Sequence, residues 1–315
     1  MYRIGVDLGG TNIAVGLVNE NMELIAKKST PTLAQRPAEE IVADMAAVCF
    51  ALCEDQGISI ADVASIGIAT PGIADVNTGK VVYSCNLPFR DFPLGSLLSE
   101  KTGVACVKIA NDANAAAFGE AVAGAAKGTK NSVMITLGTG VGGGIIIDGQ
   151  IYAGFNSAAG ELGHIVIEVD GVPCACGRRG CWEAYSSATA LIRMTNEKIE
   201  ECRASGRDSL MLKAERVSGR TACDAMRQGD AAAKEVYDKY IKYLASGLAT
   251  IINIFQPEVI SLGGGVSGEG QSLIDSLLPL VRAEQYGGDM AAITDLRIAK
   301  LGNDAGIIGA AMLGA

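Results

Sequence analysis

Three cysteines crowd into eight residues as Cys174-x-Cys176-Gly-x-x-Gly-Cys181, and the single histidine, His164, stands ten residues upstream of the first. One imidazole and three thiolates make a closed tetrahedral donor set suited to zinc, and Gly177 and Gly180 let the chain wrap the ion tightly. Two other readings stand beside it: free thiols that cluster by chance, or an iron–sulfur cluster, which ordinarily takes four thiolates. With all four ligands supplied by protein there is no open catalytic position, so the expected zinc is structural. Glu161 precedes the histidine and Glu183 follows Cys181 by two residues. A metal-fixed loop would thus hold two carboxylates and an imidazole in one geometry. Carboxylates accept paired hydrogen bonds from vicinal hydroxyls, which points to a carbohydrate ligand.

Three apolar runs end in glycines: Gly9-Gly10, Gly138-Thr139-Gly140 and Gly263-Gly264-Gly265. Backbone without Cβ can approach a phosphate and aim N–H groups at it, and Thr11 and Thr139 would add hydroxyl donors. Each turn is equally readable alone as a tight connection. None has the Walker spacing, and none is a dinucleotide fingerprint opening a helix. Asp7 immediately precedes the first turn. A carboxylate ending a buried strand is costly unless it meets a cation or donors, so Asp7 either serves magnesium or accepts from its own turn. At Ala110-Asn111-Asp112-Ala113-Asn114 a strand gives way to a helix. Asn111, Asp112 and Asn114 can each cap that helix. Phosphoryl transfer needs a carboxylate that takes the proton of the acceptor hydroxyl, a role open to Asp112 with Asn111 on a neighbouring hydroxyl.

The elements that must position these groups follow from pattern. Residues 2–7 and 13–18 read as strands flanking the first turn, and 23–28 as a third strand. Ile41, Met45, Val48 and Leu52 recur at helical spacing between 37 and 56. Strands follow at 63–69 and 107–110, and an alanine-rich helix at 111–126. Setting Asp7 against Thr136 aligns Leu8 with Leu137, Gly9 with Gly138 and Val18 with Ile147, a recurrence that suggests a duplicated architecture. Residues 187–255 read as mostly helical, with Val236, Tyr240, Leu244, Leu248, Ile251 and Phe255 on one face. Strands at 259–262 and 296–301 and a helix from about 306 complete the chain. The expected lobes are 1–114, to which 300–315 returns, and 115–299 with the zinc loop, joined by hinges near 110–114 and 300–304.

The chain has 315 residues, 49% of them hydrophobic and 19% charged, a folded composition rather than a disordered one. No stretch reaches the roughly 18 apolar residues that span a bilayer, and the N-terminus lacks a signal-peptide pattern. The cytoplasm is the expected compartment, with no membrane partner. Net charge is −9 and the nearest thing to a basic stripe, Arg178-Arg179, is too short to matter, so a nucleic-acid footprint is absent. Nine cysteines, an odd number, fit reduced thiols better than a disulfide framework.

Taken together these motifs resemble the ROK family of bacterial sugar kinases, and within it the glucokinases. Asp7-Leu8-Gly9-Gly10-Thr11 is similar to the family's first phosphate loop, and Leu137-Gly138-Thr139-Gly140-Val141-Gly142 to its second. Ala69-Thr70-Pro71-Gly72, Asn111-Asp112-Ala113-Asn114, Glu161-x-Gly-His164 and the Cys174 to Glu183 motif match in order and spacing, as does the Asn303-Asp304-Ala305-Gly306 turn. The resemblance implies an α/β, two-lobed actin-like ATPase (ribonuclease-H-like) fold with ATP and sugar in the cleft. It makes Asp112 the general base. It places Gly72, Asn86, Asn111, Glu161, His164 and Glu183 at the sugar, with His164 also on zinc through its other ring nitrogen. It sets Asp7, Gly9, Gly10, Thr11, Asn12, Gly138, Thr139 and Gly140 around phosphates and Mg2+, and Gly264 near adenosine. A homodimer or homotetramer is implied as well. Glucose is the first expected acceptor, with fructose, mannose, allose, N-acetylglucosamine and N-acetylmannosamine as alternatives. One departure bears on the acceptor: Asn86-Leu87-Pro88-Phe89 has Phe where glucokinases carry Trp. The rivals are a sugar-sensing regulator of the same family, whose DNA-binding domain would have no room before Asp7, an actin- or Hsp70-type ATPase, and an iron–sulfur dehydratase activator.

Overall fold

The computed structural model describes residues 1–290 and 292–315, apart from the side chain of Asp289. Its elements run, in chain order, β1 (Tyr2–Leu8), β2 (Asn12–Val18), β3 (Leu24–Pro31), α1 (Ala38–Asp55), β4 (Val63–Thr70), β5 (Ile73–Asp75), β6 (Lys80–Tyr83), β7 (Arg90–Phe92), α2 (Leu94–Thr102), β8 (Val107–Asn111) and α3 (Asp112–Val122). There follow β9 (Ser132–Leu137), β10 (Val141–Ile147), β11 (Gln150–Ile151), α4 (Glu183–Ser186), α5 (Ala188–Ser205), α6 (Thr221–Arg227), α7 (Ala231–Phe255), β12 (Val259–Gly263), α8 (Gln271–Glu284), β13 (Asp295–Ile298) and α9 (Ala305–Met312).

Two five-stranded sheets share one plan, β3-β2-β1-β4-β8 and β11-β10-β9-β12-β13. In the first, β1 pairs antiparallel with β2 and parallel with β4, and β8 adds in parallel. In the second, β11 is antiparallel to β10 and β13 parallel to β12. The recurrence read from Asp7 and Thr136 therefore has a counterpart in strand order. The inner strands β1, β2 and β4 are near-continuous apolar runs because helices cover both faces, whereas the edge strand β3 alternates half-buried and exposed residues.

Contacts divide the chain into a first unit of 1–134, 144–160 and 299–315, and a second of 135–143 and 161–298. In the first, α1 lays Ile41, Val42, Met45, Cys49 and Leu52 against Ile4, Val6, Ile13, Val15 and Ile66 of the sheet. The boundary expected at 114/115 falls inside α3, which packs along α9 in the same unit. Residues 110–114, expected as a hinge, lie wholly within that unit. In the second, α7 buries Val236, Tyr240, Leu244, Leu248 and Ile251, with Phe255 half-buried at its end.

Two expected boundaries move for one reason. The helix expected to reach 126 stops at Val122, and the strand expected over 296–301 stops at Ile298. The fully buried Glu120 carboxylate accepts the N–H groups of Ala125, Lys300 and Leu301, drawing both segments out of regular structure. Among the described residues, no helix is long and apolar enough to cross a membrane.

Candidate active site

In the first unit the β1–β2 turn is closed by the Gly9 N–H donating to Asn12 O at 2.9 Å. Thr32, fully buried, holds it from behind: its hydroxyl donates to Gly9 O at 2.6 Å and its N–H to Thr11 O at 2.9 Å. With those carbonyls engaged, Thr11 and Asn12 are exposed at the tip. Asn86 stands beside the turn, since a Cβ at Gly10 would lie 3.4 Å from its own. Phe89 is fully buried and stacks on Phe92 at 4.8 Å between centroids, so the Phe-for-Trp departure is a matter of core packing.

At the β8–α3 junction the capping alternatives resolve. Asn111 is the N-cap: its Oδ1 accepts from Ala113 N at 2.9 Å and Asn114 N at 3.2 Å, while its Nδ2 donates to Gly72 O at 3.1 Å. Asp112, at the start of the helix, accepts the neighbouring Ala113 N–H at 2.9 Å, with its own N–H and the Asn111 side chain also on the carboxyl, and the residue is exposed. Surrounding protein still withholds enough water from its carboxyl to raise its pKa above the ordinary aspartate value, against the opposing Ala113 N–H. Asp7 is pushed from 3.8 to about 6 by burial and then by the charge of Asp112, with Lys27 pulling the other way. Two carboxylates that disfavour each other's ionisation suit a cation-binding, proton-accepting corner. Gly306, at the start of α9, faces Asp7: a Cβ there would lie 3.2 Å from Asp7 Oδ2.

In the second unit the turn between β9 and β10 is built alike. Gly138 N–H donates to Gly140 O at 3.0 Å. Thr189 Oγ1 donates to Thr139 O at 2.8 Å and Ala188 N to Gly138 O at 2.8 Å, leaving Thr139 exposed. Gly264, in the left-handed region at φ 85°, crosses the backbone of Leu137 at the foot of this turn. Neither Thr32 nor Thr189 is foreseen from sequence, because each lies far along the chain from the turn it braces.

The cysteine loop belongs to this unit too. Trp182, fully buried, anchors it: its N–H donates to Ile165 O at 2.8 Å and its Nε1 to Tyr243 O at 3.1 Å. Its ring fills the space above Gly247 of α7, where a Cβ would lie 2.0 Å from the indole. The ligand atoms of His164, Cys174, Cys176 and Cys181 all lie within 4.8 Å of one another. Cys174 Sγ is 3.7 Å from His164 Nδ1, and Cys176 Sγ 3.6 Å from Cys181 Sγ. A tetrahedron with metal–sulfur bonds of about 2.3 Å has sulfur–sulfur edges of about 3.8 Å, so the donor set fits zinc. Burial pushes the Cys181 thiol up to about 12, whereas the Arg178 N–H holds Cys176 below the usual thiol range. Glu161 is exposed at the entry to the short turn Leu162–His164. Glu183 sends Oε2 to the Val141 N–H at 3.0 Å. A cavity of about 500 Å³ is lined by Thr139, Gly140, Cys174, Glu183, Thr189 and Arg193 among others.

The repeated sheet order, each sheet headed by a strand, a glycine turn and a second strand, defines the actin-like ATPase fold. The chain belongs to the ROK family, whose description matches residues 3–315. It is 38% identical over 316 residues to the glucokinase of Halalkalibacterium halodurans, covering 99% of this chain and 94% of that one. It is similar to a ROK family glucokinase from Streptomyces griseus solved with glucose and AMPPNP, at 34% identity and a TM-score of 0.78, covering 100% of this chain and 99% of that one. A ROK hexokinase from Thermus thermophilus is 33% identical with a TM-score of 0.81, covering 99% and 97%.

Proposed function

We propose that this chain is an ATP-dependent sugar kinase that converts glucose to glucose 6-phosphate. The observation that carries the reading is the division of labour at the start of α3. Asn111 does the capping, so Asp112 keeps an exposed carboxylate with a raised proton affinity. That is what a general base for a sugar hydroxyl requires. The glucokinase and hexokinase relatives agree with this chemistry.

In this mechanism the acceptor hydroxyl gives its proton to Asp112 as its oxygen attacks the γ-phosphorus of ATP, and ADP leaves. Asn111, Gly72, Asn86, Glu161, His164 and Glu183 orient the sugar. The glycine turns at Gly9-Gly10-Thr11 and Gly138-Thr139-Gly140 present N–H and hydroxyl donors to the phosphates, where positioning and electrostatics carry the catalysis. Asp7 would hold magnesium, directly or through water, and the ion when bound neutralises phosphate charge. His164, through Nδ1, and Cys174, Cys176 and Cys181 would hold zinc as a closed structural site, leaving His164 Nε2 for the sugar. A cytoplasmic homodimer or homotetramer belongs to the same proposal.

The test is ADP release from Mg-ATP with glucose, mannose, fructose, allose, N-acetylglucosamine and N-acetylmannosamine. Glucose is expected to give the fastest release, and Asp112→Ala to lower turnover roughly 10²- to 10⁴-fold with an unchanged circular dichroism spectrum. A faster rate with another sugar would keep the mechanism and change the acceptor. Silence across all six would refute the kinase reading, and full activity in the variant would refute Asp112 as the base.

A further inference from the structure

The cysteine loop and the second glycine turn meet through one side chain, Glu183. Its Oε2 accepts the Val141 N–H at 3.0 Å, and its Oε1 lies 3.7 Å from Cys174 Sγ. The turn is shaped around it: a Cβ at Gly140 would lie 2.3 Å from Glu183 Oε2, so only glycine leaves the carboxylate its place. The other arm of the cluster rests on the same strand start. A Cβ at Gly163, next to His164, would lie 2.2 Å from Val141 O. Glu183 follows Trp182 and Cys181, both fully buried, so its backbone has little freedom of its own.

We propose that Glu183 is a positioning residue that couples the metal cluster to the phosphate turn, so that filling the cluster tightens nucleotide binding at Gly138-Thr139-Gly140. This rests on the reading of that turn as phosphate-binding and of the cluster as a zinc site. With the four ligands drawn onto one ion, Cys174, Cys181 and His164 are fixed. Glu183 and Gly163 are then fixed against Val141, and the turn keeps the shape that the Glu183–Val141 contact braces. With the ligands released, the carboxylate is free to leave the Val141 N–H and the turn loses its brace. Any contact of Glu183 with sugar is a separate matter, and a test without sugar removes it.

The experiment is calorimetric titration of MgADP into sugar-free protein, with zinc content measured on the same samples. Wild-type protein with one zinc per chain is expected to bind, and chelator-treated protein to bind roughly tenfold more weakly. Glu183→Ala should retain its zinc and bind MgADP roughly tenfold more weakly than wild type. Glu183→Gln, whose amide oxygen can still accept the Val141 N–H, should recover most of that loss, which a merely structural effect of the site would not predict. Gly140→Ala should weaken binding in the wild-type background and add nothing in Glu183→Ala, because the side chain it displaces is already gone. If zinc-replete Glu183→Ala binds MgADP as wild type does, the coupling is overturned. If wild-type protein itself fails to bind MgADP, the kinase reading falls instead, so the two failures are distinguishable.

Discussion

Asp7 stands one residue before the end of β1, beside a glycine turn, where burial and the charge of Asp112 lift its pKa from 3.8 to about 6 against the pull of Lys27. A carboxyl with a raised native pKa contributes stability that is fully present below its unfolded value and lost as pH rises through the native one. In the metal-free protein the shift therefore costs the fold about 3 kcal/mol once the pH exceeds about 6. An amide cannot ionise, so Asp7→Asn should match wild type near pH 3.8 and exceed its stability by up to that amount at pH 7.5. Urea unfolding of metal-free protein at the two pH values reads the difference, and the variant should at the same time lose Mg-ATP-dependent turnover. Equal stability at pH 7.5 would mean that Asp7 ionises without penalty. A residue kept at a cost in stability where phosphates are expected is the pattern of a functional group, because positions that serve only the fold need carry no such burden.

At the scale of elements, the fold depends on a group that looks ordinary in sequence. Glu120, fully buried on α3, accepts N–H groups from Ala125 on one side and from Lys300 and Leu301, 180 and 181 positions away, on the other. Glutamine there keeps the shape but turns an NH2 toward backbone donors, so Glu120→Gln should lose about 1–3 kcal/mol in denaturant unfolding. Wild-type stability in that variant would show the three bonds to be dispensable. The same contact explains what sequence reading misses. The glycine turns, the cysteine loop and the Asn111-Asp112 junction are legible because each is a local pattern whose chemistry sits within a few residues. The ends of α3 and β13 are not, since Glu120 sets both through a contact spanning much of the chain. Thr32 and Thr189 are invisible for the same reason. The small sheet of β5, β6 and β7 escapes because its strands are only three or four residues long and lack a clean alternation.

Across the whole chain the groups expected to depend on zinc are confined to one unit. His164, the three cysteines, Glu183 and the turn at 138–141 all lie within 135–143 and 161–298, whereas Asp7, Asn111, Asp112 and the first turn lie in the other unit. A ligand that binds only the folded state stabilises what it touches by mass action, and structural zinc contributes on the order of 10 kcal/mol to the sites it closes. Removing it should therefore act regionally and not uniformly. Amide hydrogen exchange with and without chelator at pH 7 should rise over 161–187 and 138–143 while 1–31 and 63–75 keep their protection. A rise of equal size in β1 and β4 would show that the two units open together, as one cooperative structure. No change anywhere, in protein from which zinc has verifiably been removed, would show that the four ligands hold their geometry through Trp182 and α7 alone, and the cluster would then need a role other than structure.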